Sequence, residues 1–249
     1  MTMCFIAETT EVKTIKTLFG TLKNMLTDLN IVMTKNRITI VGFSNSNDVL
    51  VDVVLNAIEF DNYKCIPEKI MICVNAQNLY KIISTAPNKS TLSLFINDTD
   101  YNNGAIIHLG VMMDASINSI KLLEVDSNEF ELPAINYTTA VKTSSNTLQK
   151  IIKRMDSVSD VITLSVVDNQ IVMNASGDFA SSMVNLPVEE GRMQPTSSSY
   201  EIKALKTVSQ MYSSSENVEI EMQDKKPLIL TYDIGTLGSV RFCISALPV

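Results

Sequence analysis

Apolar residues recur along this chain with two different periods. Alternating or β-branched runs predict strands at Ile38–Val41, Val49–Asn56, Ile70–Val74, Thr91–Ile96, Ile106–Met112, Val161–Val167, Gln170–Met173, Val218–Met222, Leu228–Ile234 and Val240–Ile244. Polar breaks at Thr34–Arg37 and at Asp168-Asn169 read as turns between strands. Four windows carry the helical period instead: Val12–Leu26, Asn75–Ala86, Asn146–Val158 and Ile202–Tyr212.

The order of these elements repeats. "FIAETTEVKTIKTLFGTLKNMLTDLNIVMTKNRITIV" opens the chain and "TTAVKTSSNTLQKIIKRMDSVSDVITLSVVDNQIVM" opens its second half. Each reads strand, basic helix, strand, short polar turn, strand. "VNAQNLYKIISTAPNKSTLSLFI" likewise matches "YEIKALKTVSQMYSSSENVEIEM". A period of roughly 125 residues means two copies of one α/β unit rather than an array of short repeats. The polar, acidic stretch Asn118 to Tyr137 between the copies reads as an extended linker.

Composition narrows the classes. The chain has 249 residues, 45% hydrophobic and 19% charged, with no tryptophan, which suits one large globular domain or two of about 120 residues. No run approaches the ~20 apolar residues of a membrane span, and "MTMCFIAETTEVK" lacks the pattern of a secretory leader. Cys4, Cys65, Cys73 and Cys243 are scattered and read as reduced, buried thiols of an intracellular protein. His108, the single histidine, lies in the apolar run "AIIHLGV" and reads as a satisfied structural imidazole rather than a general base. Phosphate-cradling glycine motifs, nucleophile elbows and metal-ligand spacings are all missing, so no cofactor or metal is expected. Acidic pairs such as Asp98/Asp100 and Glu189/Glu190 fall in polar connecting segments. The residues point away from an enzyme.

Charge changes the picture most. The four helical windows hold nine basic residues against one acid, Asp156, a sum of +8. The remaining 11 basic and 26 acidic residues sum to -15, giving the net -7 of the chain. The nine are Lys13, Lys16, Lys23, Lys81, Lys150, Lys153, Arg154, Lys203 and Lys206. At helical spacing Lys150, Lys153 and Arg154 fall within about 100° of arc, opposite Leu148, Ile151, Ile152 and Met155. A solvated helix face mixes both signs, whereas these four nearly exclude acids. A common surface facing a polyanion explains that bias, and lysines without aromatic platforms imply salt-dependent binding indifferent to sequence.

The same residues carry a family resemblance. "FDNYKC" (Phe60–Cys65), "KLLEVDSNEFELPAINY" (Lys121–Tyr137) and "KPLILTYDIGTLGSVRFCISA" (Lys226–Ala246), in this order and spacing, resemble proliferating cell nuclear antigen, the DNA sliding clamp. The resemblance implies an α+β chain of two similar domains, each with antiparallel sheets and two short helices (the DNA clamp fold), assembling as a homotrimeric ring. The expected boundaries are 1–117 for the N-terminal domain, 118–135 for the connector and 136–249 for the C-terminal domain. It further implies a processivity factor that encircles duplex DNA irrespective of sequence. Its partners would be a DNA polymerase, other clamp-binding-motif proteins of replication and repair, and a clamp loader, in the nucleus or a viral replication compartment.

By position, Lys16, Lys23, Lys81, Lys150, Lys153 and Lys203 match basic hole-lining sites of the family. Arg154 replaces an acid common in cellular clamps, and Gln210 stands where a lysine is frequent. The subunit contact would use Ser116, Ile117, Asn118, Ser119 and Ile120 against Phe179, Ala180, Ser181, Ser182, Met183 and Val184. A partner-peptide pocket would be walled by Phe43, Leu50, Phe130, Leu132, Pro133, Pro227, Cys243 and Ile244. Cys243 replaces a bulky aromatic of cellular clamps, and "ISALPV" lacks the acidic tail often found there. Alternatives of the same fold are a monomeric or dimeric processivity factor, or one subunit of a heteromeric clamp; a protein–protein scaffold without DNA binding is the alternative of another class.

Overall fold

A computed structural model of the chain describes residues 2–102, 106–114, 116–124 and 136–248, with side chains for all of these except Asp100 and Asn102. The first half contains strands β1 (Met3–Thr9), β2 (Asp28–Thr34), β3 (Arg37–Phe43), β4 (Val49–Asn56), β5 (Asn62–Cys65), β6 (Lys69–Asn75), β7 (Leu92–Asn97), β8 (His108–Met113) and β9 (Ser116–Lys121). Its helices are α1 (Val12–Leu22), α2 (Ala76–Ile83) and the short α3 (Asp98–Asn102). The second half contains β10 (Thr139–Ser144), β11 (Val161–Val167), β12 (Gln170–Ser176), β13 (Ser181–Leu186), β14 (Glu190–Arg192), β15 (Thr196–Glu201), β16 (Asn217–Met222), β17 (Leu228–Asp233) and β18 (Gly238–Ile244). Its helices are α4 (Ser145–Met155) and α5 (Ile202–Val208), the latter running into a 3-10 turn at Ser209–Ser213.

The chain divides into two compact units, one of Met1–Gly42, Asp52–Glu131 and Ile234–Ser239, the other of Phe43–Val51, Leu132–Asp233 and Val240–Val249. In the first, strands run β5-β1-β7-β8-β9 in one sheet and β6-β2-β3-β4 in another. The second repeats this topology as β14-β10-β16-β17-β18 and β15-β11-β12-β13. The registered pairs between these strands are antiparallel.

Alternation sets the strands. In β2 every second residue (Leu29, Ile31, Met33) is buried, and in β11 Ile162, Leu164 and Val166 are. Asp168 and Asn169 join β11 to β12 with φ of 49° and 58°, the left-handed pair of a two-residue hairpin turn. The helices bury one stripe each: Ile15, Leu18, Phe19 and Leu22 on α1, and Leu148, Ile151, Ile152 and Met155 on α4. Ser144 caps α4 by accepting the Thr147 N–H, and Asn75 caps α2 through the Asn78 N–H.

Three local expectations change. His108 opens β8 with an exposed side chain opposite Lys121, so it is not a satisfied interior imidazole. Asp98 starts a helix rather than a connecting loop, and Glu190 starts β14. All four cysteines are buried, and none is joined in a disulfide.

Candidate nucleic-acid interface and assembly edges

Each unit pairs two helices with their basic side facing away from the core. In the first, α1 packs on α2, and the contact is close because α1 carries Gly20, where a Cβ would stand 3.2 Å from the Tyr80 ring. Lys23, at the C-cap of α1, places its ammonium 4.3 Å from the centre of that ring, a cation–π contact. Lys16 is half-buried, and its Nζ donates to the Ala86 carbonyl and, at 3.1 Å, to Asn88 Oδ1. Lys13 and Lys81 are exposed. Sequence reasoning missed Tyr80, Ala86 and Asn88; a lone glycine inside an otherwise regular helix was the available signal for the first.

In the second unit α4 packs against α5 and the 3-10 turn that follows it. Lys150, Lys153 and Arg154 are all exposed, and the latter two occupy the last turn of α4, where cations complement the carbonyl end of the helix. Lys203 is exposed on α5. Lys206 lies 2.5 Å from Asp156, the single acid of the four predicted helices. The nine cations therefore have unequal surroundings: among the described residues Lys16, Lys23 and Lys206 hold close intramolecular contacts, and the other six are exposed.

The sheet edges are unequal too. β5 has four residues and β14 three, too short to offer a long ladder. The outer side of β6 takes a bridge from Leu123, and β15 receives the Leu247 N–H at its Ser199 carbonyl. β9 and β13, six residues each, are end strands of their sheets. Ser116, Ile117, Asn118, Ser119 and Ile120 all lie in β9; Phe179 and Ala180 lead into β13, which holds Ser181, Ser182, Met183 and Val184. Ile117 is 66% exposed, Met183 72% and Phe179 80%. A long edge with unpaired main chain and exposed apolar side chains is what a folded protein avoids unless another chain covers it.

Of the pocket residues, Phe130, Leu132 and Pro133 lie outside the described residues. Leu50, Cys243 and Ile244 are buried, Pro227 is half-buried, and Phe43 is 43% exposed. Ser44–Asp48 is a tight turn: Ser44 Oγ donates to Asp48 Oδ1 at 2.6 Å and accepts the Val49 N–H at 3.0 Å, and Ser46 Oγ also donates to Asp48. The Ser245 N–H, just beyond Ile244, donates to the Asp48 carbonyl at 2.8 Å. Burial raises the Asp48 carboxyl, but hydrogen bonds from Ser44, Ser46 and its own backbone, with the Lys203 charge, outweigh it and leave the carboxyl below its ordinary 3.8. Burial pushes the Cys243 thiol up, against the pull of the Arg241 charge.

Among the described residues no group of three or more His, Cys, Asp or Glu is placed to hold a metal ion. No helix among them is long and apolar enough to cross a membrane.

Two family models match. The one for the proliferating cell nuclear antigen N-terminal domain covers residues 4–126, and the one for its C-terminal domain covers 131–247. The chain is 25% identical over 252 residues to "Probable DNA polymerase sliding clamp 1" of Paramecium bursaria Chlorella virus 1, covering 97% of this chain and 96% of that one. It is 22% identical to the proliferating cell nuclear antigen of Chaetomium thermophilum, covering 93% of each. Among solved structures, that of the same antigen from Entamoeba histolytica superposes with a TM-score of 0.89 at 19% identity, over 99% of this chain and 100% of that one.

Proposed function

The chain belongs to the proliferating cell nuclear antigen family and is a DNA sliding clamp, and from that premise we propose how its residues do the work. Three copies close into a ring around duplex DNA, each joining its β9 edge to the β13 edge of the next. Ile117, Phe179 and Met183 are covered there, while Ser116, Asn118, Ser119, Ile120, Ala180, Ser181, Ser182 and Val184 supply the rest of the joint. The helices turn inward, and their projecting cations make weak, mobile contacts to phosphates. Because the ring is closed, topology rather than affinity keeps it on DNA, and weak contacts permit sliding. In this reading the N-terminal domain is 1–117, the connector 118–135 and the C-terminal domain 136–249.

The observation that carries this reading is the sign split: +8 on the four predicted helical windows against -15 elsewhere. The acidic remainder repels DNA from every other face. Lys150, Lys153 and Arg154 form the densest part of the lining.

The pocket walled by Phe43, Leu50, Phe130, Leu132, Pro133, Pro227, Cys243 and Ile244 receives apolar anchors of a DNA polymerase and other clamp-binding proteins, and a clamp loader opens the ring. The site of action is the nucleus or a viral replication compartment. In this role the protein tethers enzymes rather than catalysing a reaction.

The test is topological. Loaded on nicked circular DNA, the protein stays bound through a high-salt wash and is lost when the circle is linearised. Equal loss from circular and linear DNA overturns the ring reading.

A further inference from the structure

The helical lysines are of two kinds, and we infer that Lys16 and Lys206 are interhelix clasps that brace the two assembly edges rather than phosphate contacts. The inference rests on the ring reading above but concerns different bonds.

Lys16 crosses 70 residues of sequence to reach Ala86 and 72 to reach Asn88. Ala86 follows the last turn of α2, whose carbonyl end attracts a cation. An ammonium committed to a backbone carbonyl and an amide oxygen has one proton left, and its half-buried position narrows access further. The segment it holds is not an idle loop. Thr85, Ala86 and Pro87 wall a hollow of about 390 Å³ together with Met113, Asp114 and Ser116, the residues that turn β8 into β9. Thr85 Oγ1 stands 4.0 Å from Met113 Sδ, and α2 itself packs on β9. Lys16 therefore fixes the support on which the first edge strand rests.

Lys206 repeats the device in the other unit. Its ammonium meets Asp156, the C-cap of α4, and α4 packs on β13, the second edge strand. In each unit a lysine from one helix closes on the carbonyl end of the helix beneath the edge. Among the described residues Lys13, Lys81, Lys150, Lys153, Arg154 and Lys203 show no such clasp and remain for the polyanion, while Lys23 lies over the Tyr80 ring.

Two measurements on the full chain separate the roles: self-association by sedimentation equilibrium, and the dependence of affinity for a short linear duplex on salt. Lys16→Ala should raise the half-assembly concentration about three- to tenfold, the effect of losing one or two net hydrogen bonds. The log–log salt slope should stay at the wild-type value. Lys206→Ala should do the same more weakly, since its pair is exposed. Asn88→Ala removes an acceptor while keeping every cation and should also weaken association. Lys150→Ala is the opposite case, lowering the slope by about 0.9 with association unchanged.

Hydrogen exchange at the Thr85–Ser90 and Ser116–Lys121 amides, read on dilute protein, should accelerate in Lys16→Ala. That arm decides the clasp even if the wild type neither associates nor binds duplex, the outcome that would instead defeat the ring reading. A lower salt slope in Lys16→Ala, or unchanged exchange at those amides, overturns the clasp.

Discussion

The two units share a topology strand for strand but not a charge distribution. In the first, α1 and α2 contribute Lys13, Lys16, Lys23 and Lys81, and two of these four are engaged, Lys16 with the end of α2 and Lys23 with Tyr80. In the second, α4 and α5 contribute Lys150, Lys153, Arg154, Lys203 and Lys206, of which Lys206 alone is held in an ion pair among the described residues. Duplicated folds need not divide a task equally. Here the second unit offers the denser set of projecting cations, and the first uses two of its own to hold its helices together.

Several experiments would break or sharpen that comparison. The largest effect should come from the edges, to which both units contribute. Met183→Asp or Ile117→Asp places a charge where apolar side chains are to be covered, and each should reduce the assembly to single chains by light scattering. An assembly that survives both would remove β9 and β13 from the joint.

Next comes the contrast between linings. Replacing Lys150, Lys153 and Arg154 together by alanine should lower the salt slope of duplex binding by about 2.7, at about 0.9 per lost phosphate contact. DNA-dependent stimulation of a polymerase should fall with it while assembly persists. The Lys13→Ala, Lys81→Ala pair in the first unit should lower the slope by only about 1.8. Equal effects, or a larger one from the first unit, would reverse the assignment of the denser lining.

The smallest effect is a pH dependence that two carboxylates of the second unit contribute. Asp48 and Asp224 both titrate below the ordinary 3.8, Asp224 because it accepts the Thr196 hydroxyl and the Ser197 N–H, each at 2.7 Å. A carboxyl depressed by folding adds stability that is complete above its unfolded pKa and lost as pH falls through the lower folded value. Thermal midpoints should therefore fall on acidification below about pH 4, and less steeply in Asp48→Asn or Asp224→Asn. A slope indifferent to both substitutions would show that neither carboxylate is held by the fold.

Much of the architecture was legible along the chain, though not all for the same reason. The helix windows and the long strands announce themselves by period, and the paired layouts expose the duplication. Among the strands that escaped, β5 ("NYKC"), β13 ("SSMVNL") and β15 ("TSSSYE") are short or serine-rich and carry little alternation of their own. Their extended state comes from ladders to β1, β12 and β11. Likewise, α5 gives way to a 3-10 turn at Ser209 although the apolar period continues to Tyr212. The cationic bias of the helices was also readable, because it is a property of composition within each window.

What the sequence determined by itself is therefore local: where the apolar stripe of each helix lies, that its opposite face is basic, and that the layout occurs twice. Tertiary structure decided which strands end their sheets and which lysines find partners among the described residues. Periodicity is set by neighbours a few residues apart. The fate of the Lys16 ammonium, in contrast, depends on a carbonyl 70 residues away that only the packed helix pair brings within reach.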